Sequence, residues 1–353
     1  MNNRNLDLRR FASDVGINFL RVSLMTVFGI GISIYLARGL GTEGKGFYEL
    51  AIFLPTVLQA VLNIGSQLFT VYYVGTGKYD VVSAARGNLT LTIWMSFVGT
   101  GIGLLIILAG SNLLFPGVPR HLLFISLALL PFLYARPSLS AIFQGKQEFR
   151  AFSTIELIPY LINLIVLVIT ISWFPDREAA AIIAVLLGNI ISVIYAIYLL
   201  RRLAQSQDQR SLFTLRIDSG YLRDVLSYGL KAQSGLIMLF LLFRVDVYLI
   251  NQIGGGAASV GIYSIAVVLA ERIWVFTGFA AQVMMPRIAS WEGENEKRTE
   301  LTLLTMRYTL WLSFVIAALA LIFGGWVIQL LYGSDFAPAV TALFLIMPGI
   351  ITY

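Results

Sequence analysis

The sequence predicts an all-α integral membrane protein, a polytopic bundle of helices, and two observations carry that prediction. Of the 353 residues, 58% are hydrophobic and 12% are charged, and the mean hydropathy is +0.81. A soluble domain is about 45–50% apolar and about 25% charged. The apolar residues also occur in runs of about 20, the length that a helix needs to cross a bilayer. The surplus of apolar surface is therefore expected to face lipid.

Ten segments are long and apolar enough to be spanning helices, which satisfy their own backbone hydrogen bonds in lipid. Their approximate bounds are 15–37, 47–73, 89–110, 121–143, 152–173, 179–200, 225–252, 258–283, 301–323 and 337–353. The alternation expected of barrel strands is missing. The first segment follows three arginines, as a signal peptide would, but it is too long for a signal sequence and has no convincing cleavage site. We expect it to be a retained span.

Lysine and arginine concentrate in alternate loops. With the N-terminus in the cytoplasm, the inside loops carry 15 basic residues and the outside loops carry 4. The inside loops are 1–14, 74–88, 144–151, 201–224 and 284–300, and the outside loops are 38–46, 111–120, 174–178, 253–257 and 324–336. Because short basic loops stay on the cytoplasmic side, this bias predicts a cytoplasmic N-terminus. The net charge of +6 is interpreted in the same way, and no nucleic acid is expected as a partner.

The longest polar stretch, 201–224, divides the spans into two groups. We expect residues 1–200 to form an N-terminal bundle of six helices, 201–224 a cytoplasmic linker, and 225–353 a partial C-terminal bundle of about four helices. The last segment stops at Tyr353 without a polar flank, so the second bundle is expected to be incomplete. The outside loops are too short to hold an extramembrane catalytic site, and no catalytic residue is assigned.

Several site classes are excluded by composition or fit poorly. The sequence has no cysteine and one histidine, His121, which excludes disulfides, cysteine-based metal sites and clusters of several histidines. Residues 39–46 nearly match a phosphate-binding loop, but Gly46 stands where a Ser or Thr should coordinate magnesium. A tight glycine-rich turn between two helices is expected there instead. No metal and no cofactor is predicted.

Ionisable side chains inside the spans are the candidate functional residues. A charge at the bilayer centre costs about 2.5–3.5 kcal/mol on insertion scales, so such residues face a cavity or a partner. The candidates are Arg21, Arg136, Glu156, Arg244, Asp246, Glu271 and Arg272. Asp14, Asn18 and Arg21 share one helix face by their spacing, whereas Arg244 and Asp246 are two residues apart and cannot point the same way.

Two interpretations of these charges remain open. They could all form structural ion pairs between helices, or they could line a polar path through the bundle. Arginine is suited to gripping phosphate, because its planar fork donates two hydrogen bonds at once. Four arginines against three carboxylates leave a positive balance, which favours an anionic substrate. Prolines at 55, 131, 137 and 159 interrupt three spans and fit either kinks that open and close or simple tolerance of proline in membrane helices.

Three stretches resemble a known family of transporters. They are Ala37–Tyr48, Arg244–Arg287 and Leu331–Gly349. Together they resemble the polysaccharide-exporter family of Wzx-type oligosaccharide flippases. That family belongs to the multidrug/oligosaccharidyl-lipid/polysaccharide exporter superfamily, together with the lipid II flippases and the multidrug and toxin extrusion transporters. The resemblance covers essentially the whole chain, and its second stretch is the most specific.

The resemblance implies two bundles around a central cavity in the inner membrane of a bacterium. The implied substrate is a short oligosaccharide on a polyprenyl diphosphate, moved from the inner to the outer leaflet for lipopolysaccharide or exopolysaccharide assembly. We expect Arg21, Arg136, Arg244, Arg272 and Asn18 to bind the substrate, and Asp246, Glu271 and Glu156 to couple transport to an ion. Membrane lipid is an expected partner, a polysaccharide polymerase and a chain-length regulator are candidate partners, and the chain is expected to be a monomer.

Three alternatives to a flippase make different demands on the sequence. A drug or cation antiporter of the same superfamily should have a cavity dominated by carboxylates, and four arginines within the spans argue against it. A membrane polymerase or ligase should need a larger outside loop to hold its reacting groups. A non-transporting membrane scaffold is the third alternative, and the expected incompleteness of the second bundle leaves it open.

Overall fold

The computed structural model describes residues 2–203, 218–275 and 295–352, and of residues 2–15 and 295–298 it describes the backbone only. All regular secondary structure in these ranges is helical. The α-helices are α1 (Asn2–Leu62), α2 (Ser66–Gly75), α3 (Val81–Leu105), α4 (Ser111–Leu114), α5 (Arg120–Leu127), α6 (Leu130–Gly145), α7 (Phe149–Thr170), α8 (Arg177–Leu203), α9 (Ser219–Asp224), α10 (Leu230–Ile250), α11 (Gly256–Ala270), α12 (Asn295–Tyr332) and α13 (Ala339–Thr352). π-Helical turns occupy Ile106–Gly110, Val225–Gly229 and Asn251–Gly255, and a 3-10 turn occupies Ser334–Phe336.

Seven helical stretches of the described chain are long and apolar enough to cross a membrane. They are Gly16–Leu62, Val81–Leu114, Arg120–Gly145, Phe149–Thr170, Arg177–Leu203, Ser219–Val275 and Thr299–Tyr332. Two of them, of 47 and 57 residues, contain more than twice the roughly 20 residues that one crossing needs. With the shorter apolar helix α13, these stretches overlap each of the ten predicted spans. Residues 276–283 of the eighth predicted span lie outside the described ranges. The predicted all-α membrane fold is confirmed.

Glycines with positive φ interrupt the two longest stretches. Gly41 has φ 70° within α1, and Gly254 and Gly256 have φ 102° and 63° between α10 and α11. Side chains larger than hydrogen are strained in this region, so glycine allows the chain to turn there. The predicted outside loop 38–46 is wrong in extent, because helix continues on both sides of Gly41 and Lys45 is only 1% exposed. The expected glycine-rich turn is reduced to a single residue.

Other boundaries also differ from the sequence-based ones. The second predicted span is divided near Gly65, which has φ 72°, and the fourth is divided between α5 and α6, where Pro131 lies in the first turn of α6. Proline is tolerated there because backbone N–H groups in the first turn of a helix have no intrahelical acceptor, so the N–H that proline lacks is not missed. Helix α12, which contains the ninth predicted span, runs to Tyr332 through most of the predicted loop 324–336. Residues 326–332 are mostly apolar, and the helix ends at Gly333, which has φ 101°.

The chain divides into two compact units, which we name by their place in the sequence. The terminal unit is Met1–Thr42 with Gly261–Tyr353, and the central unit is Glu43–Val260. This grouping differs from the predicted bundles 1–200 and 225–353, and residues 204–217 of the predicted linker lie outside the described ranges. The two-bundle division therefore stays a prediction.

Helix α6 is the centre of the central unit, where it packs against α2, α3, α7 and α8. The core around it contains Leu139, Ile142, Ile155 and Ala196, all fully buried. Many large apolar side chains point outward instead, such as Phe97, which is 74% exposed. Such a surface suits lipid and not water, in agreement with the predicted membrane fold.

The terminal unit has its own core, formed by part of α1, part of α11, α12 and α13. Its buried side chains include Ile265, Ile328, Phe336 and Leu343. Arg38 ties α1 to the end of α12, since its guanidinium donates to the backbone carbonyl oxygens of residues 330 and 331 at 2.6 and 2.8 Å. A cation is favourable at that point, because the carbonyls at a helix C-terminus carry partial negative charge.

Candidate substrate-binding and ion-coupling residues

A polar cluster lies between α6, α7 and α8 of the central unit. The guanidinium of Arg136 on α6 donates one hydrogen bond to the Glu156 carboxylate on α7 and another, of 3.2 Å, to the Asn189 side-chain oxygen on α8. The other carboxylate oxygen of Glu156 accepts a 2.8 Å bond from the Ser140 hydroxyl. The Arg136 and Glu156 side chains are 19% and 14% exposed. Two predicted site residues thus lie together, and each neutralises the charge of the other.

Close packing of α7 against α8 positions this cluster. A Cβ atom at Gly188 would lie 2.7 Å from the carbonyl oxygen of Pro159, so glycine permits the approach of the two helices. One turn further along α8, the Ser192 hydroxyl donates a 2.6 Å hydrogen bond to the Ile155 carbonyl. Asn189 directly follows Gly188, and the same approach brings its amide into the cluster.

Asn18 and Arg21 lie together on α1 of the terminal unit, as their spacing predicts. Arg21 donates to the Asn18 side-chain oxygen from Nε and Nη2 at 3.1 and 2.6 Å. Its Nη1 lies 3.5 Å from the Met25 sulfur. Asp14, on the same predicted face, is among the residues whose side chains are not described. The asparagine thus orients the guanidinium.

Arg272 is the second residue after the end of α11, and it lies next to a buried polar pair of the terminal unit. Ser33 on α1 and Tyr332 at the end of α12 are 5% and 2% exposed. The Ser33 hydroxyl and the Arg272 guanidinium both lie near the Tyr332 hydroxyl. Arg272 Nε, Ser33 Oγ and the Tyr332 hydroxyl are each buried without a well-formed hydrogen bond to any described residue. Because buried polar atoms are usually bonded, three unsatisfied ones in one place mark a candidate site for a polar ligand.

The remaining predicted residues are less clustered. Arg244 on α10 is exposed, whereas Asp246 is partly buried and accepts a 2.7 Å bond from the Val247 amide. This difference agrees with the prediction that the two side chains point in different directions. Glu271, which directly follows α11, is partly buried, and all three charged groups have interaction partners.

The eight predicted site residues are thus divided between the two units. Arg136, Glu156, Arg244 and Asp246 belong to the central unit, and Asn18, Arg21, Glu271 and Arg272 to the terminal unit. Within a unit, the structure brings together Arg136 with Glu156 and Asn18 with Arg21. That all eight line one cavity stays a prediction.

Sequence reasoning missed a pocket in the central unit, between α2 and the beginning of α10. It has a volume of about 480 Å³, and its lining residues are Tyr73, Ser227, Tyr228, Lys231 and Ala232. Tyr72 stacks on Tyr228 at its edge, with ring centroids 5.3 Å apart and an interplanar angle of 11°. The signal available in the sequence was the concentration of tyrosines on either side of two predicted inside loops. About 150 residues separate the two groups, so sequence alone could not pair them.

An ion pair lies beside this pocket and contacts Tyr73, one of its lining residues. The Lys78 ammonium lies 2.5 Å from the Asp224 carboxylate and 4.6 Å from the centroid of the Tyr73 ring. Tyr79 donates a 2.7 Å hydrogen bond to the same carboxylate oxygen. The hydrogen bond to Asp224 raises the pKa of Lys78, so its side chain is charged at neutral pH. Burial, followed by the hydrogen bond to Asp224, raises the pKa of the Tyr79 phenol.

A buried network beneath the pocket was also missed. Asn88 on α3 accepts hydrogen bonds from the hydroxyls of Thr70 and Tyr221, and its amide donates 2.8 Å to the Ser138 carbonyl. The four residues lie on α2, α3, α6 and α9. Asn88 begins a glycosylation sequon in the sequence, but its side chain is 1% exposed and fully engaged. Its role in this structure is to join four helices.

The fold and the sequence can be compared with known proteins. Residues 11–292 match the family described as "Polysaccharide biosynthesis protein". No curated protein matches the sequence. One similar solved structure is the inward-facing conformation of a multidrug resistance MATE family transporter of the MOP superfamily, with 18% identity and a TM-score of 0.63, covering 93% of this chain and 78% of that chain.

Two further solved structures have the same fold. The MATE multidrug transporter DinF-BH has 16% identity and a TM-score of 0.67, covering 96% of this chain and 78% of that chain. A MOP superfamily transporter from Pyrococcus furiosus, described by the reverse polarity of its binding pocket, has 16% identity and a TM-score of 0.60. The match covers 96% of this chain and 76% of that chain. At these identities the likeness concerns the fold. Because the family match spans most of the sequence, the chain belongs to the polysaccharide biosynthesis protein family.

Proposed function

We propose that this protein is a flippase that moves a polyprenyl-diphosphate-linked oligosaccharide from the cytoplasmic to the outer leaflet of a bacterial inner membrane. The family supports a place in polysaccharide biosynthesis. The multi-pass helical fold, similar to that of MOP superfamily transporters, supports transport and not covalent chemistry. The distribution of Lys and Arg supports a cytoplasmic N-terminus.

The main support for an anionic substrate is the guanidinium of Arg272. Its Nε is buried without a hydrogen-bond partner among the described residues, beside the equally unsatisfied hydroxyls of Ser33 and Tyr332. A buried donor without an acceptor is costly, so the Arg272 Nε marks a candidate binding position. A diphosphate supplies both negative charge and acceptor oxygens, and arginine binds such oxygens with two parallel bonds.

The other predicted residues enter the proposal with different tasks. Arg21, already oriented by Asn18, contributes a further donor in the terminal unit. Arg244 contributes one in the central unit, where Arg136 is held by Glu156 and must exchange that bond to reach a phosphate. The prenyl tail stays in lipid while the polar headgroup crosses between the helices.

Glu156 is the best placed of the three proposed ion-coupling residues. A proton on its carboxylate would cancel the negative charge that holds Arg136 and would free the guanidinium for the substrate. Asp246 and Glu271 are the other candidates. Flipping by the Glu156→Gln variant should lose its dependence on the pH gradient, whereas Asp176→Asn, at an exposed pair with His121, should keep it. An unchanged gradient dependence in Glu156→Gln would end the role of this residue.

A drug or cation antiporter is the second candidate, because the similar solved structures include MATE multidrug transporters. A cationic substrate needs a carboxylate that is free to bind it. The Glu156 carboxylate is instead neutralised by Arg136 and bonded to Ser140. In the terminal unit, one of the three buried polar atoms without a hydrogen bond to a described residue is the Nε of a cation, Arg272. These charges favour an anionic substrate.

A complementation experiment separates the two candidates. Cells that lack their own flippase would express the full-length gene, or its Arg272→Ala variant, or the control Arg120→Ala, which removes an exposed arginine bonded to Ser111. We expect surface polymer from the unaltered protein and the control, and a strong loss with Arg272→Ala at equal protein level. Dye resistance without surface polymer would favour the antiporter and overturn the proposal.

A further inference from the structure

The tyrosine pocket of the central unit owes its position to a close contact of two glycines. A Cβ atom at Gly65 would lie 2.3 Å from the carbonyl oxygen of Gly229, and one at Gly229 would lie 2.0 Å from the carbonyl oxygen of Ile64. Backbone therefore packs directly on backbone where α2 begins and α10 begins. Further along α2, the rings of Tyr72 and Tyr73 pack against Tyr228, at 5.3 and 5.7 Å between centroids. The backbone contact and the packed rings together hold α2 and the beginning of α10 beside each other at the pocket.

The polar groups of the pocket also have hydrogen-bonding capacity that the described residues do not use. The phenol groups of Tyr73 and Tyr228 make no hydrogen bond within the described part of the chain, and the Ser227 hydroxyl donates a 3.3 Å bond to the Asp224 carbonyl. Lys231 has an exposed ammonium without an ion-pair partner in the described ranges. The nearby Lys78 differs, because Asp224 neutralises it. The pocket thus offers one uncompensated cation and several hydroxyls.

The third feature is the place of the pocket at the ends of two helices. Tyr73 is two residues before the end of α2, and Lys231 is the second residue of α10. Tyr73 adjoins the loop 74–88, and Lys231 lies about two helical turns after the loop 201–224; the basic residues of both loops predict the cytoplasmic side. Basic pockets between membrane helices on that side are where anionic lipid headgroups bind.

From this geometry we propose that the pocket between α2 and α10 binds the phosphate-bearing headgroup of an anionic lipid. Lys231 pairs with the phosphate, the hydroxyls of Tyr73 and Tyr228 donate to its oxygens, and the aromatic rings contact the carbon skeleton next to it. A volume of about 480 Å³ lies within the usual range of about 300–1,000 Å³ for small-ligand sites. This chemistry is common to bilayer phospholipids and to a lipid-linked sugar, and only the latter source rests on the proposed function.

Binding to the full chain purified in detergent tests the proposal, with native mass spectrometry as the readout. The probes are phosphatidylglycerol, zwitterionic phosphatidylcholine and a short prenyl-diphosphate N-acetylglucosamine. Lys231→Gln removes the cation, and Ala232→Leu fills the pocket while the lysine remains. The matched control is Lys146→Gln, because Lys146 is also exposed and lies in a loop of the same predicted side.

We expect Lys231→Gln and Ala232→Leu each to weaken binding of an anionic probe about fivefold to tenfold, with Lys146→Gln within twofold of the unaltered protein. If the pocket variants bind only phosphatidylglycerol more weakly, the pocket is assigned to bilayer lipid. If they bind only the prenyl diphosphate more weakly, it is assigned to the cargo. If they bind both more weakly, the pocket accepts either headgroup. If phosphatidylcholine binds as tightly as phosphatidylglycerol, or if both pocket variants behave like Lys146→Gln, the tyrosines only anchor the helices at the interface and the proposal is overturned. Because no transport is measured, a failure here leaves the proposed function standing.

Discussion

The guanidinium of Arg136 and the carboxylate of Glu156 form an ion pair that joins α6 to α7 in the interior of the central unit. The same guanidinium bonds to Asn189 on α8, and the same carboxylate accepts from Ser140. This pair combines the two interpretations that the sequence left open. It is a structural link between helices in the state described here, and in the proposed cycle its arginine is released to the substrate.

The pair should show strong energetic coupling. Glu156→Gln leaves the Arg136 charge without its counter-charge, and breaking a largely buried pair in this way costs about 3–5 kcal/mol. The double variant Arg136→Gln with Glu156→Gln removes both charges, so it should be less destabilised than the two single variants together. Unfolding of the purified protein in detergent, followed through a double-mutant cycle, measures the coupling. Additive losses would mean that the pair contributes nothing as a pair.

The glycine contact between α2 and α10 should tolerate no side chain. Gly229→Ala places a methyl group against the carbonyl oxygen of Ile64, and such overpacking costs about 1–3 kcal/mol. Gly235→Ala, on the same helix α10, meets nothing within 4 Å and should be neutral or stabilising. Thermal unfolding of the two variants, measured side by side, checks this difference. Equal stabilities would show that the contact can open without loss.

Asn88 should be the most sensitive uncharged polar residue of the central unit. Asn88→Ala leaves Tyr221, Thr70 and the Ser138 carbonyl without their buried partner, and each unsatisfied group costs about 1–3 kcal/mol. We expect a large fall in the unfolding temperature and poor yield. Asn112→Ala removes the same side chain from an exposed position and serves as the control. Similar behaviour of the two variants would contradict the network.

Outward flipping should depend on the membrane potential. Moving one charge through 100 mV is worth about 2.3 kcal/mol, so a dianionic headgroup that leaves a negative interior gains about 4–5 kcal/mol. In proteoliposomes with an imposed potassium-diffusion potential, the accumulation of flipped substrate should rise when the interior is negative and fall when the sign is reversed. A neutral or cationic headgroup would give no effect or the opposite one.

The fold class followed from hydropathy, because runs of about 20 apolar residues have few other stable solutions. The residues at which the helices are interrupted could not be predicted from hydropathy. Gly41 and Gly254 adopt positive φ while Gly44 and Gly46 continue the helix, and composition alone does not separate these cases. Lys45 was predicted to lie in a loop but is buried, with its ammonium 2.7 Å from the Glu49 carboxylate one turn further on.

The candidate site was only partly predictable, for a similar reason. In-span charges are conspicuous in a sequence, so Arg136 and Glu156 were identified, but their partnership across α6 and α7 depends on helix packing. Ser33 and Tyr332 are unremarkable in the sequence and become informative only beside Arg272. The tyrosine pocket joins residues about 150 positions apart, so only tertiary structure could reveal it.

The most direct test of the central claim is the rate at which the purified full chain, in proteoliposomes, exposes a fluorescent prenyl-diphosphate-linked oligosaccharide to a membrane-impermeant quencher. We predict flipping by the unaltered protein and by Arg120→Ala, and at least a tenfold slower rate with Arg272→Ala, because a charge-assisted contact is worth about 1.5–3 kcal/mol. A rate no faster than that of empty liposomes, or an equal rate in Arg272→Ala and Arg120→Ala, would contradict the account.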